Sequence, residues 1–321
     1  MIALGRSGPA GILAAYLADV LLADPRRGHP VAGFGWCATA LEKITYRDRR
    51  RSGALHTAVL VGALAGAGTL VQRRVGDGTA LAVLTAAATW VALGGTTLAK
   101  TGIEMADRLD ADDIDGARAL LPSLCGRDPA ALDGPGLARA ACESIAENTS
   151  DATVAPLLWA AVAGVPGVLA YRGINTLDAM IGNRSERYRR FGWAAARLDD
   201  LANYIPARVT GALVALCAAV VGGSAIHAVE AWLRDADRHP SPNAGVVEAA
   251  FAGALGLRLG GPTQYGHELE IRPTLGEGRS PSVADLRRAV RLSLLVQFAA
   301  VVLAAGISAV GRSDRSVCPQ R

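Results

Sequence analysis

Between Cys142 and Thr210 the sequence concentrates the side chains that chemistry uses. It reads CESIAENTSDATVAP, then an apolar run, then YRGINTLDAMIGNRSERYRRFGWAAARLDDLANYIPARVT. Glu143, Glu147 and Asp151 fall at i, i+4 and i+8, which on a helix is one face. Stacked carboxylates repel by roughly 0.2–0.5 kcal/mol per i,i+4 pair, so such a stack requires a cation: a metal ion, or arginines brought from elsewhere. The second string offers Arg172, Arg184, Arg187, Arg189, Arg190, Arg197 and Arg208. It adds Asp178, Asp199 and Asp200, and Asn148, Asn175 and Asn203 supply amide partners. Carboxylates holding Mg²⁺ that itself carries substrate phosphates fit this set, with arginines gripping carboxylate or phosphate through their planar fork. The plain alternative is a solvated acidic face beside a solvated basic one.

Other chemistries are excluded by what is missing. The two lysines, Lys43 and Lys100, do not follow a glycine, so there is no Walker-type phosphate loop. No HExxH, GxSxG or helix-opening GxGxxG occurs, and the five cysteines include no CxxC, against a disulfide framework or a zinc site. In RYRRFGWAAAR the arginines alternate with Tyr188, Phe191 and Trp193. In an apolar chain that pattern reads as an interfacial belt rather than a nucleic-acid surface, so no nucleic-acid partner is expected.

The elements that must position these residues are membrane helices. Of 321 residues, 51% are hydrophobic and only 19% charged, with a net charge of +4, and the mean hydropathy is +0.26. A soluble domain carries about one quarter charged residues. Apolar segments run over 9–23, 53–72, 79–99, 153–171, 209–226 and 290–311, most of them near the 20 residues a bilayer asks for. The first, 9–23, reads as a short uncleaved membrane helix. It stops in a turn, Asp24-Pro25-Arg26-Arg27-Gly28-His29-Pro30, which places Asp24, Arg26 and His29 at a membrane boundary. The basic loop 24–52 belongs on the cytoplasmic side, and the acidic stretch 100–141 reads as a soluble connector with a solvated face. Segment 153–171 contains Pro156, Gly164, Pro166 and Gly167; it is expected to form a re-entrant hairpin covered by protein rather than a simple crossing. Alternating segments that would signal strands are absent. The expected fold is therefore all-α: one polytopic, membrane-embedded helical domain over 1–321 with polar loops forming the active site. Between the last two segments, Ser241 and Pro242 mark a helix start. Gly245, Ala249 and Gly253 give that helix a close-packing face, and its N-terminus suits an anion.

DPRRGHPV (24–31), ESIAENTSDATVAPLLW (143–159), the string 171–210 and SPNAGVVEAAFAGALG (241–256) together resemble the CobD/CbiB family. Its members are adenosylcobinamide-phosphate synthases of cobalamin biosynthesis. The resemblance implies a multi-pass inner-membrane enzyme that joins aminopropanol, or its O-phosphate, to a propionate carboxylate of cobyric acid. It implies ATP as co-substrate with Mg²⁺, a corrinoid substrate, membrane lipid around the protein, and other late corrinoid-pathway enzymes as partners. On this reading Glu143, Glu147 and Asp151 serve metal and nucleotide, supported by Asn148 and Ser150. Arg172, Asn175, Asp178 and Arg184 take substrate anions or the base role, with Asp178 counted as catalytic beside the three acids. Asp199, Asp200, Asn203 and Arg208 close the other wall. Asp24, Arg26, His29, Tyr188, Arg197, Ser241, Asn243 and Glu248, all within the matched strings, complete the substrate-binding set. The competing readings are a non-enzymatic AmpE-like membrane signalling protein and a small-molecule transporter.

Overall fold

The computed structural model describes residues 8–25, 28–183, 185–265 and 268–316. Thirteen α-helices account for most of it: α1 Pro9–Leu22, α2 Pro30–Thr45, α3 Arg50–Val75, α4 Thr79–Ala92, α5 Gly95–Asp110, α6 Ile114–Leu120, α7 Gly134–Thr149, α8 Ala155–Ile181, α9 Tyr188–Phe191, α10 Trp193–Cys217, α11 Ala225–Asp235, α12 Ala244–Leu255 and α13 Val283–Ser316. One antiparallel hairpin, β1 Leu259–Tyr265 and β2 Glu268–Leu275, interrupts them. The sequence expectation of no strands is corrected here.

Five helical runs are long and apolar enough to cross a bilayer: Arg50–Val75, Thr79–Asp110, Gly134–Ile181, Trp193–Val221 and Val283–Val310. The protein is a multi-pass membrane protein. The first apolar segment is not one of the five. α1 has 14 residues, about 21 Å at 1.5 Å per residue, short of the roughly 30 Å hydrocarbon core. Two further corrections concern length. The basic segment 24–52 is not all loop, because Pro30 at a helix start, capped by His29, begins the 16-residue α2. The run expected at 209–226 begins already at Trp193, as the polar residues of the Arg197–Arg208 stretch lie within the helix.

The described residues form two compact units. The first comprises Met1–Gly94, Ala155–Asn203 and Ala300–Arg321; the second, Gly95–Val154 and Tyr204–Ala299. In the first unit α1 packs on α4, and α3 runs along α8. Helix α8 is not one rod. Gly164 sits at φ 67°, ψ −154°, a left-handed conformation open to glycine, and Pro166 follows. Beyond the break the chain doubles back. A Cβ at Gly167 would sit 2.9 Å from the Trp159 carbonyl oxygen, although eight residues of straight helix would separate them by about 12 Å. Ala155 packs against Tyr171 and Ile174. The chain thus bends back on itself within 153–171, the geometry that a hairpin there requires. The Val165 N–H freed by the break is met by Gln72 Oε1 of α3 at 2.9 Å, which satisfies the buried amide.

In the second unit α5 lies on α7 and α11 on α12. Gly245 leaves no room for a Cβ against the Ala236 carbonyl, and neither does Gly253 against that of His227, as the small-residue face predicted. Between α7 and α8 the chain makes one π turn, Ser150–Val154. The acids of the 100–141 connector are mostly exposed and paired with arginine: Asp107 and Asp110 with Arg287, both at 2.7 Å, and Asp113 with Arg108 at 2.9 Å.

Candidate active site

In the second unit the acidic face of α7 meets a set of partners drawn from far along the chain. Glu143 is 2% exposed. It accepts hydrogen bonds from Arg127, from Arg272 Nη1 at 3.3 Å and from the Gly260 N–H at 2.7 Å. The last donor exists because of a bulge. The β1–β2 register shifts between Leu259 and Gly261, Gly260 takes φ 82°, and its N–H leaves the ladder for the carboxylate. Arg272 reaches further, donating from Nη2 to Glu248 Oε1 at 3.0 Å and to His239 Nε2. Glu248 is 0% exposed and its second oxygen, Oε2, has no hydrogen-bond partner among the described residues. Glu147 is half-buried, within range of the Arg127 and Arg272 charges, yet makes no hydrogen bond or ion pair among the described residues.

Burial, helped by the neighbouring Arg272 charge, pushes the His239 imidazole down to about 4. At neutral pH it is uncharged, accepting from Arg272 at Nε2 and facing the Ser241 backbone through Nδ1. The cluster thus holds three carboxylates against two guanidiniums. Among the described residues, Glu248 Oε2 is buried without a donor, and the half-buried Glu147 carboxylate has none either. A buried polar atom left that way is costly, so the arrangement is suited to receive a proton or a cationic, donor-rich ligand group.

The cation relief predicted for the acidic stack is real but comes from elsewhere. Arg127 and Arg272, not the arginines of 172–208, hold Glu143. Glu143, Glu147 and Asp151, the residues expected to serve magnesium, do not form a ready-made cage. Among the described residues no three His, Cys, Asp or Glu side chains converge as metal ligands. Glu143 is committed to three donors, and Asp151 lies past the end of α7 on the π turn, which breaks the i, i+4, i+8 stack. Asn148 donates its amide back to Ser144, at 2.9 Å to the carbonyl and 3.1 Å to the hydroxyl. Ser150 is buried with its hydroxyl unpartnered among the described residues.

The SPNAG loop adjoins this cluster through His239. Ser241 Oγ accepts from the N–H groups of Asn243 (3.3 Å) and Ala244 (3.2 Å), but α12 itself begins at Ala244 with Asn243 as its N-cap, two residues later than expected. Arg208, stacked 3.5 Å over the Tyr204 ring, donates to Asn243 Oδ1 at 3.1 Å and to the Pro242 carbonyl at 3.4 Å.

A separate group forms in the first unit. Tyr171 OH donates to Asn203 Oδ1 at 2.9 Å, and Asn203 Nδ2 donates to Asp199 at 3.0 Å. Asp178, Asn175 and Asp200 surround that carboxylate, and Arg172 reaches Asn175 at 3.4 Å. Two neighbouring carboxylates with amides and a guanidinium can hold a proton or grip a polar substrate. Arg197 lies on the surface, 3.4 Å from Asp200. Tyr188 hydrogen-bonds Glu42, which also takes Arg187 at 2.7 Å; this is a lock between α2 and α9. His29 caps α2 through Val31 and lies 3.6 Å from Asp24. Arg26 and Arg184 lie outside the described residues.

With this geometry established, comparison with known proteins decides the lineage. A family model described as CobD/Cbib protein matches residues 12–293. The chain belongs to the CobD/CbiB family. Among curated CobD/CbiB relatives, the cobalamin biosynthesis protein CobD of Mycobacterium tuberculosis is 67% identical over 294 residues, 92% of this chain and 94% of that one. CobD of Geobacter metallireducens is 42% identical over 308 residues, covering 94% and 97%. CobD of Rhodobacter capsulatus is 43% identical over 271 residues, covering 83% and 85%. No solved structure matches the chain. The CobD/CbiB chain is accordingly a cobalamin biosynthesis protein. Arg127, His239 and Arg272, which no single motif announced, are the members of the buried cluster that sequence reasoning missed. The alternation in ELEIRPTL (268–275) was the readable signal for the strand that carries Arg272.

Proposed function

We propose that this protein is an amide-forming synthase of the inner membrane. It links the amine of aminopropanol, or of aminopropanol phosphate, to a propionate carboxylate of cobyric acid and yields cobinamide or its phosphate. The observation that carries the reading is the buried Glu143–Arg127–Arg272 network beside Glu147 and Glu248, whose Oε2 has no donor among the described residues, in a chain related to CobD over more than nine-tenths of its length.

A carboxylate and an ammonium do not condense unaided in water. ATP supplies the drive: the propionate oxygen attacks the γ-phosphorus, ADP leaves, and an acyl phosphate forms. The amine, having lost a proton to a carboxylate, then displaces inorganic phosphate to close the amide. Glu147 is suited to take that proton, being half-buried and uncommitted. Glu143 is not, because its oxygens are occupied. Magnesium here accompanies the nucleotide phosphates, as that ion commonly does; no cage of three carboxylates is assigned to it. Other late corrinoid-pathway enzymes are the proposed partners for delivery.

Purified protein in detergent, given cobyric acid, Mg²⁺–ATP and each amine in turn, should give cobinamide or cobinamide phosphate and ADP, read by mass spectrometry. No product with either amine would sink the proposal and return the transport and signalling readings.

A further inference from the structure

In the first unit, away from the groups assigned above, five arginines share one cleft. It has a volume of about 680 Å³ and is lined by Asp48, Arg49, Arg50, Arg51, Arg189 and Arg190. All six side chains are exposed. Asp48 answers only part of that charge, at 3.4 Å from Arg190. The surplus is four positive charges in one concavity.

The backbone builds this cleft. Gly53, in the first turn of α3, lies so close to the Phe191 carbonyl that no Cβ could fit. That contact holds α9, with Arg189 and Arg190, against the arginine-rich start of α3. The Arg50 guanidinium then sits 5.3 Å over the ring of Trp193, and Trp193 opens α10. So the N-terminal ends of two membrane-crossing runs, Arg50–Val75 and Trp193–Val221, meet at the cleft. Each end brings the positive pole of its helix dipole. The half-exposed Trp193 indole beside them has the amphipathic character of residues at the lipid headgroup level.

We infer that this cleft is a binding site for the phosphodiester headgroup of an anionic phospholipid. Guanidinium forks match phosphate oxygens. Depth decides between a lipid and a soluble phosphate, because the first residues of two spanning helices lie where lipid phosphates lie. The lipid's acyl chains would then run beside the apolar flank of α3, where Leu55 and Val59 are exposed.

The test uses the full chain in nanodiscs containing phosphatidylcholine doped with fluorescent phosphatidylglycerol. Wild-type protein should retain the anionic lipid in saturable fashion. Arg189→Gln/Arg190→Gln should weaken retention at least about tenfold, on the order of fivefold per charge, and Arg189→Lys/Arg190→Lys should recover part of it. Unfolding curves in the same detergent establish that the variants fold, as expected for exposed side chains. Equal retention by wild type and the glutamine variant would overturn the site. Displacement of the lipid by millimolar inorganic phosphate or ATP would assign the cleft to a soluble anion and overturn the lipid reading.

Discussion

Glu143 and Glu147 are one helical turn apart, carry the same group, and are in opposite situations. Replacing Glu143 by Gln removes the charge that answers two buried guanidiniums, and breaking a buried pair this way costs about 3–5 kcal/mol. Glu143→Gln should therefore unfold at markedly lower temperature in detergent. Glu147→Gln disturbs no partner; it should keep its melting temperature and lose product formation. A Glu147→Gln enzyme with near-normal turnover would take Glu147 out of the chemistry. His239 gives the site a pH signature. Its proton affinity is lower in the fold than in the open chain, so between about pH 6.5 and 4 the unfolded state binds a proton that the native state refuses. The stability is fully present above about pH 6.5 and falls as pH drops toward 4, by on the order of 3 kcal/mol. His239→Gln should flatten unfolding temperature against pH across that window. An unchanged slope would place the pH sensitivity elsewhere. The carboxylates of this cluster were legible because spacing and type are local properties. Arg127 was not, since CGRDP reads as an ordinary turn and only the fold buries it.

At the scale of elements, helices longer than a bilayer's width were legible from apolar length alone, and the break in α8 from Gly164 and Pro166. What the sequence could not supply was the partner. Gln72, ninety-three residues before Val165, looks like a chance polar residue at the end of a membrane helix. Gln72→Ala leaves a buried N–H unmet and should cost about 1–3 kcal/mol. Gly164→Ala, at positive φ, should cost about 1–2 kcal/mol. Both are measurable as lowered unfolding temperature with helical content retained, and a neutral Gln72→Ala would mean that water reaches Val165. The small β-hairpin was missed because its glycine-rich first strand does not alternate. Its pairing follows from the bulge at Gly260 and from the Arg272 contacts, which are long-range.

At the scale of the molecule, α3 carries its arginine-rich start at one end and the Gly76–Gly78 turn at the other, 26 residues apart, about 39 Å. That is more than the hydrocarbon core, so α3 is long enough to put its two ends on opposite faces of the membrane. If the positive-inside bias puts the arginine-rich end in the cytoplasm, single cysteines at Asp77, Arg49 and Arg189 in a cysteine-free background should behave differently. An impermeant maleimide on intact cells should label position 77, and positions 49 and 189 only after permeabilisation. Labelling of 49 without 189 would break the common face that the arginine cleft requires. The Glu143 network also sets an order of manufacture. Arg127 precedes Glu143 by 16 residues, but Gly260 follows it by 117 and Arg272 by 129. At synthesis rates of about 5–20 residues per second, the second guanidinium emerges roughly 6–26 s after the acid it must meet. For that interval the ribosome holds a chain whose Glu143 has its nearby arginine alone, so the late-made hairpin acts as the latch that closes the Glu143 network.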